Sequence, residues 1–335
     1  MNQLQKFASD RRSFLTVAMG AAGSIARPAI GQTEKYPSRP ISLVVPFPAG
    51  GSVDTAGRAI ADKLSKALGQ SVIVDNKGGA GGAIGSVFVA KAKADGYTLV
   101  VTSQSSHVAN PAVTPNLPYD AVNDFAPITL IERLPNVLLI NPALPVKTVA
   151  EFVAYAKARP GKMNYASSGN GSMLQLNMEL FKSQYGVFIT HIPYRAAGTA
   201  QTDLMAGRVD AQMTNLGATN AALVTSGKLR ALAVAAPSRS LLLPDVPTFG
   251  ELKQPELNMT SWTGLAAPKG TPEPIITQLY SAVRSVLQDP QNIADWQKRG
   301  VIVPEALRPE DYRKEIEQRI AFYKKLVKDK NIVAD

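Results

Sequence analysis

Short apolar runs alternate with segments of helical periodicity from Ile41 almost to the carboxy terminus. That alternation narrows the folds open to the chain more than any other feature. "ISLVV" (41–45), "SVIVD" (71–75) and "YTLVV" (97–101) read as strands. Val53, Ile60, Leu64 and Leu68 lay an apolar stripe along a helix between the first two. "GGAGGAIGSVFVAKAKA" starts as a loop and becomes a helix. The pattern restarts after "NVLLI" (136–140) and the proline-bracketed "NPALPV". A helix near 149–158, the strand "MNYA", a helix from near Ser172, the strand "FITHI" and a helix near 199–206 follow, then the strands "VDAQM" (209–213) and "LRALAVA" (229–235). Such alternation builds α/β layers with largely parallel sheets. Two similar units predict two lobes, with Pro142 and Pro145 near the first crossover and "WTGLAAP" (262–268) as a return strand. The carboxy-terminal part reads as helix. Pro309, Glu310 and Asp311 start it, and Tyr312, Ile316, Ile320, Tyr323 and Val327 follow at helical spacing.

Bulk numbers exclude several function classes. A chain of 335 residues with 45% hydrophobic and 19% charged residues is globular and long enough for two domains. It has no cysteine, so disulfides, thiolate catalysis and thiolate metal sites are ruled out. Two histidines, His107 and His191, are too few for a histidine-rich metal site and read as structural or rim residues. The net charge of +10 is spread along the chain without an arginine-rich block, which reads as a solvated surface and not as a nucleic-acid site.

Part of that charge lies in an address label. "DRRSFLT" (10–16) carries Arg11 and Arg12, and an uncharged stretch rich in alanine and glycine runs from 13 to 26. It resembles a twin-arginine export signal, although Thr16 stands where that motif usually has a basic residue. Small residues at 29–31 place cleavage near Gly31, with 24–26 as the alternative. Residues 1–31 hold four basic residues and one acidic one, so their removal lowers the charge from +10 to +7. No later segment offers the roughly 18 consecutive apolar residues of a membrane span.

The residues with most chemical content lie where strands meet helices. "VPFPAGGSVDTAGRAIA" (45–61) passes from strand to Gly50, Gly51 and Ser52 and then into helix. Ser52 is the expected N-cap. The first turn of a helix has unpaired N–H groups and a partial positive charge, and glycines let a ligand approach them. Asp54, in the same turn, either offsets the helix dipole or meets a cationic group. "NYASSGNGSMLQL" (164–176) repeats the arrangement in the other unit. Two such helix starts, one per lobe, would hold an anion between them, while the plain alternative is two tight turns. The phosphate-loop pattern G-x-x-x-x-G-K-[ST] is absent, and "GGAGGAIG" (78–85) misses G-x-G-x-x-G because Ile84 takes the last position. No G-x-S-x-G elbow or H-E-x-x-H helix appears, so no catalytic residue and no metal ligand is assigned.

Several long motifs occur in order: "YPSRPISLVVPFPAGGSVDTAGRAIADKL", "VDNKGGAGGAIGSVFVAKAKADGYTLVV", "YASSGNGS", "PYRAAGTAQTDLMAGRVDAQM" and "SGKLRALAVAAPSR…LPDVPTFGEL". Together they resemble the substrate-binding receptors of tripartite tricarboxylate transporters, the Bug receptors, over nearly the whole chain from Tyr36. The resemblance implies an α/β, two-lobed periplasmic binding protein, type II-like. Lobe 1 would span 36–138 plus 260–335 and lobe 2 would span 139–259, after an export signal at 1–31. It implies a monomer without cofactor that traps a small organic carboxylate by lobe closure and hands it to membrane permease subunits. A sensor presenting the carboxylate to a signalling partner and a carboxylate-processing enzyme are the alternatives.

The resemblance assigns ligand contacts to Phe47, Ala49, Gly50, Gly51, Ser52 and Asp54 of the first loop. In the second loop it assigns them to Ser167, Ser168, Gly169, Asn170, Gly171 and Ser172. Ser103, Tyr194, Arg195 and Asn215 complete the set, with Arg195 a second charge partner or a surface residue. The chain departs from the family pattern at Gln175, where many relatives carry His, and at Met213 and Thr214 before Asn215, where many carry Phe-Asp-Asn. Those departures bear on which carboxylate is bound.

Overall fold

The computed structural model describes residues 36–194 and 197–332, and the compact unit that holds the lobes is Pro37–Asp335. The export-signal expectation and Arg195 lie outside the described residues. In chain order the strands are β1 (Ile41–Val45), β2 (Val72–Asn76), β3 (Thr98–Ser103), β4 (Phe125–Leu134), β5 (Asn136–Ile140), β6 (Asn164–Ser167), β7 (Thr190–Pro193), β8 (Ala211–Asn215), β9 (Arg230–Ala235) and β10 (Ser261–Pro268). The helices are α1 (Ser52–Leu68), α2 (Ala83–Ala90), α3 (Asn110–Val113), α4 (Val149–Lys157), α5 (Met173–Tyr185), α6 (Ala197–Met205), α7 (Ala218–Thr225), α8 (Glu273–Gln288), α9 (Pro290–Lys298) and α10 (Pro309–Lys330).

The strands form two sheets, ordered β2-β1-β3-β10-β4 and β7-β6-β8-β5-β9. In each, four strands run in one direction and one runs antiparallel between them: β10 in the first sheet and β5 in the second. This is the two-lobed α/β binding-protein architecture, and β10 is the expected return strand. β1 and β3 read as near-continuous apolar runs because helices cover both faces of their sheet. The boundary expected after residue 138 falls inside β5, which pairs with β8 and β9 of the second sheet from Asn136 onward.

Helix placement follows from the apolar stripes. α1 buries Ile60 and Leu64 and ends at Gly69 in the left-handed conformation. Gly57 lets it lie close on the sheet, since a Cβ there would meet Val45 Cγ2 at 2.7 Å. α10 buries Tyr312, Ile316, Ile320 and Tyr323. The Tyr312 hydroxyl passes over Gly264 of β10 to meet Thr102 Oγ1 at 2.6 Å, a place that a side chain at 264 would occupy. Tyr323 donates to Asn177 Oδ1 of α5 at 3.0 Å, so this last helix touches both lobes.

Two local readings are corrected. Ser52 is the first helical residue and Gly51 is the N-cap, with extended backbone (φ −77°, ψ 169°) and no side-chain capping bond. The strand expected at "FITHI" begins only at Thr190, and Phe188 is exposed. β4 escapes the periodicity because its pairing with β10 shifts register twice, so inward and outward residues do not alternate cleanly along it. Among the described residues no helix is long and apolar enough to cross a membrane.

Candidate functional site

A cleft of about 1210 Å³ is lined by residues from both sheets. The first lobe contributes the loop between β1 and α1, the glycine turn between β2 and α2, the turn after β3, and parts of β4 and β10. The second contributes the loop between β6 and α5 and the end of β8. Every parallel strand concerned meets the cleft at its carboxyl end, where open α/β sheets bind ligands.

Asp54 organises the first loop without lining the cleft. Its carboxylate is buried, and Oδ2 accepts from Gly50 N at 2.9 Å and Arg58 Nε at 3.0 Å. Oδ1 accepts from Asn76 Nδ2 at 2.8 Å, and that same nitrogen donates to Phe47 O at 3.0 Å. Burial raises the Asp54 pKa, but the bonds from Arg58, Gly50 and Asn76 outweigh it and hold the carboxyl below the usual carboxylate range. The loop from Phe47 to Gly50 is therefore tied to this ionised side chain directly at Gly50 and through Asn76 at Phe47. Gly50 sits at φ +86°, and its N–H is taken by Asp54. Gly51, Ser52 and Val53 remain at the cleft, the last two in the first helical turn, where N–H groups have no intrahelical acceptor.

The second loop is held by a chain of bonds whose directions can be deduced. Gly171 N can only donate, so Gln175 Oε1 accepts from it, at 2.6 Å. Gln175 Nε2 then donates to His191 Nδ1 at 3.1 Å. That leaves the proton of the neutral ring on Nε2, which donates to Ser167 Oγ at 2.6 Å. Ser167 in turn donates to Gly169 O at 3.0 Å and accepts from Gly169 N at 3.1 Å. Ser172 caps α5 through its hydroxyl, which accepts from Gln175 N at 3.3 Å. Met173 and Leu174, the first two helical residues, line the cleft.

Of the expected contacts, Phe47, Ala49, Gly51, Ser52, Ser103, Ser168, Asn170, Gly171, Ser172 and Asn215 come together around the cleft. Gly50, Asp54, Ser167, Gly169 and Tyr194 are not among its lining residues. Asp54 and Ser167 brace the two loops, and the Tyr194 hydroxyl is turned to Asp203 Oδ2 at 2.8 Å. Asn215 Oδ1 accepts from the Ser261 hydroxyl at 2.7 Å, joining β8 to β10 where the lobes meet.

Sequence reasoning missed a third loop. Gly79–Ile84 also lines the cleft, stapled by Asn110 Nδ2, which donates to Ala80 O at 3.2 Å and Gly81 O at 3.1 Å. The run "GGAGGAIG" was the available signal, but a nucleotide fingerprint tests only one use of glycines. Glu132, Gln104, Trp262 and Thr263 were missed too, and a lone carboxylate inside the apolar run "ITLIERL" was the clue. Glu132 is the one charged side chain among the described residues lining the cleft. Neither histidine lines it. His107 is fully buried, with Nδ1 3.0 Å from Ser106 Oγ, and burial pushes its pKa down to about 3. No cluster of metal-ligating side chains occurs among the described residues.

The profile of the family described as "Tripartite tricarboxylate transporter family receptor" matches residues 56–332. The chain is 41% identical to Protein BugT of Bordetella pertussis over 80% of its own length and 82% of that protein. A solved structure of an R. palustris protein with adipate matches at 36% identity and a TM-score of 0.79, over 89% of this chain and 99% of that one. MatC from Rhodopseudomonas palustris with bound malate matches at 33% and 0.74, over 87% and 100%.

Proposed function

The chain belongs to the tripartite tricarboxylate transporter receptor family, and from that premise we propose that it captures a small organic carboxylate in the periplasm and delivers it to membrane permease subunits. The observation that carries the reading is the pair of helix starts. α1 and α5 come from different lobes, and both open onto one cleft. Backbone N–H groups in their first turns offer donors to an anion, and each charge-assisted bond contributes roughly 1.5–3 kcal/mol. No lysine or arginine lines the cleft among the described residues, so these dipoles are its main positive feature there. The adipate and malate bound by the two R. palustris relatives favour the same ligand class.

In this reading Gly51 and Ser52 grip from one lobe. From the other, Ser168, Asn170, Gly171 and Ser172 shape the seat, and the first-turn N–H groups of Met173 and Leu174 face the ligand. A ligand held by both lobes binds the closed arrangement better than an open one, and that difference drives closure. Capture and release are the whole cycle, with no bond made or broken. A thermal-shift screen of carboxylates, sugars and nucleotides tests it. A bound carboxylate at 100 times its Kd stabilises the protein by about 2.7 kcal/mol. A response confined to sugars or nucleotides would refute the reading.

A further inference from the structure

One row across the first sheet is polar where its surroundings are apolar. Pairing places Ser103 of β3 opposite Thr263 of β10, and Thr263 opposite Glu132 of β4. Residues paired across strands present side chains to the same face. All three line the cleft, and each is at most 4% exposed. Ser103 is satisfied by Ser106, their hydroxyls 3.0 Å apart. The others are not. Thr263 Oγ1, Gln104 Oε1 and Trp262 Nε1 are buried without a hydrogen-bond partner, and all three residues line the cleft. Glu132 makes no ion pair among the described residues. Burial pushes its carboxyl up to about 7, against the pull of the Arg299 guanidinium and of the Thr263 hydroxyl, which lies near it without closing a hydrogen bond.

Buried polar groups are almost always paired, so a cluster of unpaired ones facing a cleft points to a ligand group that pairs them. Its acceptors are the two Glu132 carboxyl oxygens and Gln104 Oε1, while Trp262 Nε1 can only donate and Thr263 Oγ1 can do either. We propose that Glu132, Gln104 and Thr263 form a distal subsite for a hydrogen-bond-donating group, so that the cargo is a carboxylate carrying a hydroxyl or ammonium group and not a plain dicarboxylate. The proposal rests on the carboxylate-receptor reading. Above about pH 7, where Glu132 is ionised, a second carboxylate on the ligand would face it charge to charge, with no basic side chain lining the cleft among the described residues to relieve it. A hydroxyl or ammonium hydrogen finds an acceptor instead. Sites built around such bonds discriminate strongly, because a ligand lacking the group leaves buried atoms unpaired.

Titration calorimetry at pH 8 tests this with monocarboxylates of three to six carbons bearing a terminal methyl, hydroxyl or ammonium group, and with the dicarboxylates of the same lengths. The hydroxyl or ammonium member should bind at least about tenfold tighter than the dicarboxylate of equal length. Glu132→Gln should bring that ratio to within about threefold, because it removes the charge that repels the dicarboxylate. An ammonium cargo loses affinity in this variant, while a hydroxyl cargo largely keeps it, since the amide oxygen still accepts. Thr263→Val supplies an independent variant and should weaken the preferred member alone. Carboxylate binding that favours the dicarboxylate, or a preference that Glu132→Gln leaves unchanged, overturns the subsite alone. No binding by any carboxylate overturns it together with the receptor reading.

Discussion

Gln175 and His191 meet at 3.1 Å, Nε2 to Nδ1, and this one contact sets the tautomer of the histidine and the shape of a cleft loop. Gln175 is also buried, and its Oε1 accepts from the Gly171 N–H at 2.6 Å. Gln175→Ala removes the acceptor of the Gly171 N–H and the donor to His191 Nδ1. The expected cost is about 1–3 kcal/mol in denaturant unfolding, with weaker carboxylate binding although residue 175 does not line the cleft. Unchanged affinity would mean that the loop does not need this brace.

The first loop has its own brace in Asp54. Asp54→Ala removes acceptors from Gly50, Arg58 and Asn76 at once, and is expected to cost about 3 kcal/mol or more. Carboxylate affinity should fall with it. Arg58→Ala is milder, since that side chain is half exposed and the Gly50 and Asn76 bonds survive. Urea midpoints for the two variants check the order.

Gly50 and Gly51 should separate stability from binding. Gly50→Ala forces a side chain to φ +86° and is expected to cost about 1 kcal/mol of stability, although nothing lies within 4 Å of the new Cβ. Gly51 has an ordinary φ, and its Cβ would meet only Pro48 O, at 3.7 Å. Gly51→Leu should therefore lower the melting temperature of the free protein only slightly, through loss of a favourable N-cap residue, and abolish the ligand-induced shift. Paired thermal melts with and without carboxylate read both effects.

Stability should be nearly flat in the middle of the pH range, because two buried groups oppose each other. His107 is neutral in the fold, with its pKa lowered from 6.5 to about 3. Between those values the unfolded chain binds more protons, so stability falls as pH drops below 6.5. Glu132 is raised from 4.5 to about 7, so between those values the folded chain binds more protons and stability falls as pH rises. From about 4.5 to 6.5 the two slopes cancel. Below that window His107 acts with Asp54, whose lowered pKa adds loss as pH falls through it. Glu132→Gln should tilt the plateau, making stability rise with pH across the window. Urea midpoints from pH 4 to 8 show this directly.

Much of the fold was legible because apolar runs and helical stripes depend on local spacing. β1, β5 and α4 lie where periodicity puts them. β4 was not, since its two register shifts are set by β10, more than a hundred residues away in sequence. The two helix-start loops were legible as glycine and serine seams. Their internal division was not. Gly50 and Gly51 are neighbours of one type, yet one turns its N–H to Asp54 and the other lines the cleft. Ser52 has the right chemistry for a cap, but Asp54 already organises the loop and the helix begins at Ser52 itself. Glu132 was missed because its neighbour Arg133 lets it read as half of a surface charge pair, and the polar residues that share its row, Ser103 and Thr263, join it only across the sheet.

The central claim is that a carboxylate is held between two helix starts. A crystal structure of the protein with its tightest-binding carboxylate from the thermal-shift panel tests it most directly. The account predicts a carboxylate oxygen about 2.7–3.2 Å from backbone nitrogens in the first turns of both α1 and α5, or joined to them through one ordered water. A carboxylate held by side-chain cations, or lying away from these two turns, would contradict it.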